Sequence, residues 1–253
     1  MILSAEAINF SYSNMEVLKN VSFNLSKGDC LAILGTNGAG KSTLLKCLNK
    51  ILTPSRGNVY IDGINIRALK NRELAQTMGY IGQNHKNIRT TVFDFILLGR
   101  KPYIKWDVTK EDIGLVEKII DKFNLAAYAM RYTDELSGGE FQKIVLARAM
   151  VQEPNVLLMD EPTSSLDLKN QLDLIKIIKD IMGEEEISVV VTMHDLNLAL
   201  RFANKFLLLK DGEILFYGGN EIITPESINK VYDIDVNLIE YKGLPIVVPM
   251  HKE

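Results

Sequence analysis

Gly35-Thr36-Asn37-Gly38-Ala39-Gly40-Lys41-Ser42 follows the apolar run Cys30-Leu31-Ala32-Ile33-Leu34 and carries into a helix predicted from Gly40. The eight residues fit G-x-x-x-x-G-K-[ST], the phosphate-loop pattern, in the strand-to-helix setting that the pattern requires. Its chemistry explains its residues. Glycines let the backbone curl until consecutive N–H groups point at phosphate oxygens, and the helix N-terminus behind them adds positive potential. Lys41 supplies a mobile charge for the β- and γ-phosphates, and the Ser42 hydroxyl can ligate Mg²⁺. A strand, a glycine-rich turn and a helix in that order put the chain in the α/β class.

The pattern repeats on the C-terminal side. Asn155-Val-Leu-Leu-Met-Asp160 precedes a helix predicted from Asp167, and Ile187-Ser-Val-Val-Val-Thr-Met193 precedes another from Asp195, the order of a parallel sheet flanked by helices. Before the loop, alternation over 3–10 and 17–25 predicts an antiparallel pair of strands. Between Gln83 and Pro154 no strand is convincing. There Thr91-x-x-Asp94 and Thr109-x-x-Asp112 read as capping boxes, and Ile113, Val116, Ile119, Ile120 and Phe123 follow at helical spacing. The tail from Phe206 predicts two strands around Asp211-Gly212, a helix near 225–232 and two more short strands. Glu184, Glu185 and Glu186 read as a solvated loop.

Two further segments carry chemistry. Val156-Leu-Leu-Met-Asp160-Glu161 is an apolar strand ending in adjacent carboxylates. Strand carboxyl ends form the ligand crevice of a doubly wound sheet, so Asp160 arrives where Mg²⁺ must sit and Glu161 reaches the space beyond the γ-phosphate, where it could deprotonate water. Taken alone, the segment is equally well a strand followed by a turn. Leu136-Ser137-Gly138-Gly139-Glu140 is a capping box for the helix bearing Ile144, Leu146, Ala147 and Met150. A cap does not call for two glycines just inside the helix, where each costs up to ~1 kcal/mol against Ala. A helix end stripped of side chains is instead a surface for a phosphate, one more such surface than a single γ-phosphate requires.

With these motifs in this order the chain resembles the nucleotide-binding subunit of ATP-binding cassette (ABC) transporters over nearly its whole length. GTNGAGKS looks like Walker A, LSGGE like the signature motif and VLLMDE like Walker B, and Pro162-Thr163-Ser164-Ser165-Leu166-Asp167 is similar to the D-loop. The resemblance implies a P-loop NTPase (RecA-like) core sheet flanked by helices, with an N-terminal antiparallel β subdomain and an inserted α-helical subdomain. In those terms 1–87 and 153–218 form the catalytic core, 88–152 the helical subdomain with the signature motif, and 219–253 a C-terminal extension. ATP and Mg²⁺ are the implied cofactors.

The resemblance also assigns roles. Tyr12 stacks on adenine; Gly35, Thr36, Asn37, Gly38, Ala39, Gly40, Lys41, Ser42 and Thr43 hold the phosphates; Gln83 touches Mg²⁺ and the attacking water; and His194 contacts the γ-phosphate. Mg²⁺ falls to Ser42, Gln83 and Asp160, and catalysis to Glu161, His194, Gln83 and Lys41. Ser137, Gly138, Gly139 and Glu140 serve the nucleotide of a second copy lying head to tail. Without the family, Tyr12 reads as a half-buried strand aromatic, Gln83 as a loop polar group and His194 as a satisfied histidine at a strand end. Phe141 and Lys143 stand where the family often has Arg, and Ser165 where it often has Ala.

Composition narrows the partners. Thirty-two acids against 29 bases give a net charge of -3, with 47% hydrophobic and 24% charged residues, an ordinary globular balance that argues against a protein coating nucleic acid. Cys30 and Cys47 lie apart in apolar stretches, which predicts buried thiols and excludes a disulfide scaffold. The opening ILSAEAINF alternates, so no secretory leader is expected, and no apolar run approaches the ~18 residues of a membrane span. The chain is expected at the cytoplasmic face of the membrane, held there by a permease dimer.

The stretch 92–103 is apolar nearly all round, then basic and aromatic; it reads either as a helix packed on the core or as part of that docking surface. Leu98-Gly99-Arg100-Lys101-Pro102-Tyr103 is similar to the corresponding stretch of iron-siderophore, haem and cobalamin importers, which implies metal-chelate import with an external substrate-binding protein. The alternative is a soluble ABC ATPase without permease, such as one serving iron–sulfur cluster assembly. A P-loop kinase would leave residues 137–140 without a purpose.

Overall fold

Residues 1–83 and 89–250 are described by a computed structural model of the chain. Strands β1 (Leu3–Tyr12) and β2 (Met15–Leu25) pair antiparallel, as their alternation predicts, and β1 also pairs β4 (Arg56–Ile61), which continues to β5 (Ile64–Asn65). The result is a four-stranded antiparallel sheet in the order β2-β1-β4-β5.

The second sheet has six strands in the order β10-β9-β3-β8-β7-β6. β3 (Cys30–Leu34), β6 (Met78–Ile81), β7 (Val156–Asp160), β8 (Ser188–Thr192) and β9 (Lys205–Lys210) run parallel, and β10 (Glu213–Gly218) closes the edge antiparallel to β9. Every residue of β3, β7 and β8 is buried, which is why these strands read as continuous apolar runs. Their side chains divide between two cores. Leu31, Ile33, Val156, Leu158 and Val190 face α1 (Lys41–Leu48) and the antiparallel sheet, whereas Ala32, Leu34, Leu157, Met159, Val189 and Val191 face the helices on the other side.

Those helices are α3 (Val92–Leu97), α4 (Lys110–Lys122), α5 (Gly138–Met150) and α6 (Leu168–Glu185). Among the described residues between Gln83 and Pro154 no strand forms; Thr91 and Tyr132 make an isolated bridge. Thr109 and Asp112 cap α4 reciprocally, while Thr91 caps α3 by accepting from the Asp94 N–H. The expected boundary at 87/88 falls outside the described residues. After β10 come α8 (Pro225–Tyr232) and the hairpin β11 (Val236–Tyr241) and β12 (Leu244–Pro249), which packs on α7 (Leu196–Leu200).

The structure also bears on individual readings of the sequence. Glu184 and Glu185 are the last turn of α6 rather than loop, both pairing Lys122, and Glu186 follows in left-handed conformation against Lys27. A helix C-terminus disfavours carboxylates, and the two lysines supply the compensating charge. Within 92–103, read either as a packed helix or as a docking surface, Arg100 is 5% exposed. The short strand β6 and the helix α2 (Asn71–Thr77) lacked a sequence signal, since β6 is four residues with a glycine and α2 buries only Leu74. Cys30 and Cys47 are buried free thiols, as read.

Candidate nucleotide-binding site

The loop of residues 35–40 leaves β3 at its carboxyl end and turns into α1, with β8 on one side of β3 and β9 on the other. Gly40 holds the helix start at φ 105 without a side-chain cap, and a Cβ there would come within 3.0 Å of the Val17 carbonyl oxygen. At Gly35 a Cβ would lie 2.2 Å from the Leu209 carbonyl oxygen. These two positions therefore admit only glycine. No acidic side chain occupies the first turn of α1, so its leading N–H groups keep their positive potential.

Lys41 folds back over the loop: its Nζ donates to the carbonyl oxygens of Gly35 at 2.8 Å and Thr36 at 3.0 Å. Burial pushes its pKa below the ordinary lysine value, against the pull of Glu161 and Asp160. A lysine destabilised as a cation in this way gains from an arriving anion.

Asp160 ends β7 and connects the loop to the catalytic side. One carboxylate oxygen accepts from the Ser42 hydroxyl at 2.9 Å and from the Thr192 hydroxyl at 2.7 Å. Thr192 ends β8 directly across from Asp160 and is fully buried, and its oxygen in turn accepts the Glu161 N–H at 2.9 Å. Glu161 adopts φ 50, a left-handed turn that swings its side chain out of the strand and over the cleft. Its Oε2 accepts from Gln83 Nε2 at 2.8 Å, and its Oε1 meets His194 Nε2. Ser42, Asp160, Thr192, Glu161, Gln83 and His194 are thus one connected chain of polar contacts.

The cleft is about 170 Å³, lined by Val17, Asn37, Gly38, Gly40, Lys41, Ser42, Thr43, Glu161 and His194. That is below the roughly 300–1,000 Å³ of a whole small-molecule pocket. Tyr12 and residues 137–140 do not line it. Tyr12 lies at the end of β1, 46% exposed, its ring edge-on to Phe10 at 4.8 Å. Ser137 and Glu140 cap α5 reciprocally, and Tyr128 also bonds the Glu140 carboxylate. Gly138 has open space where a Cβ would stand, whereas at Gly139 a Cβ would strike Asn170 at 2.5 Å. Thr192 escaped the sequence reading; a polar residue ending the otherwise apolar Ser188-Val-Val-Val-Thr192 was its signal.

The oxygen donors beside the loop, the Ser42 hydroxyl, the Asp160 carboxylate and the Gln83 amide, are hard ligands of the kind Mg²⁺ takes alongside phosphate and water. The residues therefore fit the ion that the motifs imply.

Residues 18–164 match the family model described as ABC transporter. The chain belongs to the ABC transporter ATP-binding family. It is accordingly an ATPase cassette that binds nucleotide. Among relatives, an ABC transporter ATP-binding protein of Methanocaldococcus jannaschii is 53% identical over 99% of this chain and 98% of its own length. The ferric enterobactin transport ATP-binding protein FepC of Escherichia coli is 33% identical over 98% of this chain and 94% of its own length. Among solved structures, a chain described as belonging to an inward-facing metal-chelate type ABC transporter superposes with a TM-score of 0.86 at 32% identity, covering 99% of this chain and 97% of that one. An ATP-binding cassette solved as a dimer with ADP and Pi gives 0.74 at 28% identity, covering 86% and 98%. No helix among the described residues is long and apolar enough to cross a membrane.

Proposed function

We propose that this cassette powers import of a metal chelate, of the iron-siderophore, haem or cobalamin class, through a permease dimer served by an external binding protein. One observation carries the catalytic part: Glu161 hangs over the phosphate-loop cleft between Gln83 and His194, one residue beyond the carboxylate bonded to Ser42. In this reading residues 35–43 hold the phosphates, and Lys41 exchanges its two carbonyl partners for phosphate oxygens. Ser42, Asp160 and Gln83 would hold Mg²⁺, which when bound supplies charge neutralisation on the phosphates. Glu161 takes a proton from the attacking water, His194 senses the γ-phosphate, and Tyr12 stacks on the base.

The small cleft supports the two-copy arrangement. It encloses phosphates from one side only, so Ser137, Gly138, Gly139 and Glu140 of a second copy complete each site. Core (1–87 and 153–218) and helical part (88–152) then move as the two working bodies, with 219–253 as an extension. Docking of the permease is supported by a cleft of about 620 Å³ whose lining includes Arg72, Tyr80, Leu98, Lys101 and Pro102, and in this reading the docked chain works at the cytoplasmic face of the membrane. The cargo class rests on the full-length likeness to the ferric enterobactin and petrobactin ATP-binding proteins and to the metal-chelate type transporter.

The test is affinity purification from detergent-solubilised membranes of the source cells. Recovery with a polytopic permease, and ATP hydrolysis that rises when a metal chelate with its binding protein is added, is the expected result. Recovery with soluble scaffold proteins alone would overturn the transport reading.

A further inference from the structure

The C-terminal hairpin is fastened to the helix that follows His194. α7 has only five residues, begins two positions after His194, and is capped by Asp195, whose carboxylate accepts from the Leu198 N–H at 2.9 Å. So short a helix does not hold its own direction in water; what packs against it sets its path. A lone two-stranded hairpin is equally dependent on a neighbour. Here the two pack together, Val247 sharing a core with Leu198, Ala199 and Leu200, and the Asn197 side chain bonds across the contact. Asn197 Nδ2 donates to the Val247 carbonyl at 3.1 Å, and its Oδ1 accepts from the Val247 N–H at 2.7 Å.

The sequence of β12 isolates this contact. Pro245, Val247 and Pro249 stand opposite Glu240, Leu238 and Val236, and alternate positions of a strand direct their N–H groups to the same edge. Both prolines lack an N–H, so of these three residues Val247 alone can donate along that edge, and Asn197 receives its N–H. Edge strands shed donors to avoid promiscuous pairing, and this edge keeps one and aims it at α7.

We propose that Asn197 and the β11–β12 hairpin form a clasp that holds α7 so that His194 stays on Glu161, making Asn197 a positioning residue for ATP hydrolysis. The proposal rests on the catalytic reading of His194 given above. With the clasp undone, α7 remains packed through Leu198, Ala199 and Leu200, which are buried, but residues 194–197 ahead of them lose their tether and the histidine leaves the carboxylate. Nucleotide binding is spared, because the loop of residues 35–43 has its own support.

The experiment is a double-mutant cycle on the full chain, measuring steady-state ATP hydrolysis. Asn197→Ala is expected to lower kcat about tenfold while KM for ATP stays within about twofold, the cost of displacing a reacting group without touching the binding loop. In a His194→Ala background the same change is expected to have no further effect on the residual rate. An equal loss in both backgrounds would mean a merely structural role and overturn the clasp, as would an unchanged kcat in Asn197→Ala. Should Asn197→Ala fail to fold, Asn197→Asp keeps the acceptor for the Val247 N–H but sets a carboxylate oxygen against the Val247 carbonyl in place of the donor, and the same outcomes decide. Full activity in His194→Ala alone would instead remove the catalytic reading of His194, a result distinct from failure of the clasp.

Discussion

At the residue scale the site is a matter of where one carboxylate is held. Glu161 is positioned by its own left-handed backbone, by its N–H on Thr192, and by side-chain contacts to Gln83 and His194 on two other segments. Replacing it by Gln keeps the shape but removes the carboxylate proposed as the base. Glu161→Gln is therefore expected to bind ATP as the natural chain does, to lose about 10²-fold or more in turnover, and to accumulate as an ATP-stabilised dimer in size-exclusion chromatography. Turnover at the natural rate would exclude Glu161 as the base. The loop, Asp160 and Glu161 were legible from sequence because strand, turn and residue types are contiguous there. Gln83 and His194 were not, since their partner lies far away along the chain and nothing local marks them; only the family resemblance named them. Thr192 was missed because its importance comes from the register of β7 against β8, which places it beside Asp160.

At the element scale the surprise is the inward turn of Arg100. Its guanidinium donates to Asp112 at 2.9 Å, to the Val151 carbonyl at 3.0 Å and to Glu153 at 2.9 Å, and lies 3.9 Å from the centre of the Tyr103 ring. It ties the turn after α3 to the start of α4 and the end of α5. Burial by itself raises the Asp112 pKa, but the hydrogen bonds from Arg100 and Thr109 outweigh it, so the folded value lies below the ordinary one. Its contribution to stability is thus present above the ordinary carboxylate pKa and lost as pH falls through the depressed value. Arg100→Met should destabilise the chain by about 3–5 kcal/mol near neutral pH, because it leaves a buried carboxylate unpaired. Without Arg100 the Asp112 carboxyl keeps its burial and only the Thr109 hydrogen bonds, so its folded pKa moves up and the variant's deficit against the natural chain shrinks on mild acidification. Urea melts at neutral and mildly acidic pH check both, and equal losses at the two would contradict the pairing. The sequence left 92–103 open between a packed helix and a docking surface, since periodicity reports apolar faces and cannot see an ion pair closed across three helices. The apolar strands, by contrast, were plain because both faces of the sheet are buried.

At the scale of the whole molecule, the unresolved demand of the sequence was the second phosphate-facing helix end. Within one copy that end does not line the phosphate-loop cleft, so its two glycines have to be accounted for separately. Gly139 has a packing neighbour, since a Cβ there would push against the Asn170 side-chain amide of α6. Gly138 has none: it faces open space and stands at the first position of α5, where an aspartate is favoured by the helix dipole. Stability alone would therefore accept Gly138→Asp or even gain about 0.3–1 kcal/mol from it. If the position is kept bare for the γ-phosphate held by a second copy, the added carboxylate meets that phosphate as a like charge and the two copies cannot close. The expected outcome is a chain that melts no lower than the natural one and binds ATP as a monomer, yet forms no ATP-dependent dimer and loses hydrolysis. Calorimetry, nucleotide titration and sedimentation on the one variant separate these quantities. A Gly138→Asp chain that still dimerises with ATP and hydrolyses it normally would mean that the helix end of α5 faces no phosphate, and that each copy completes its site by itself.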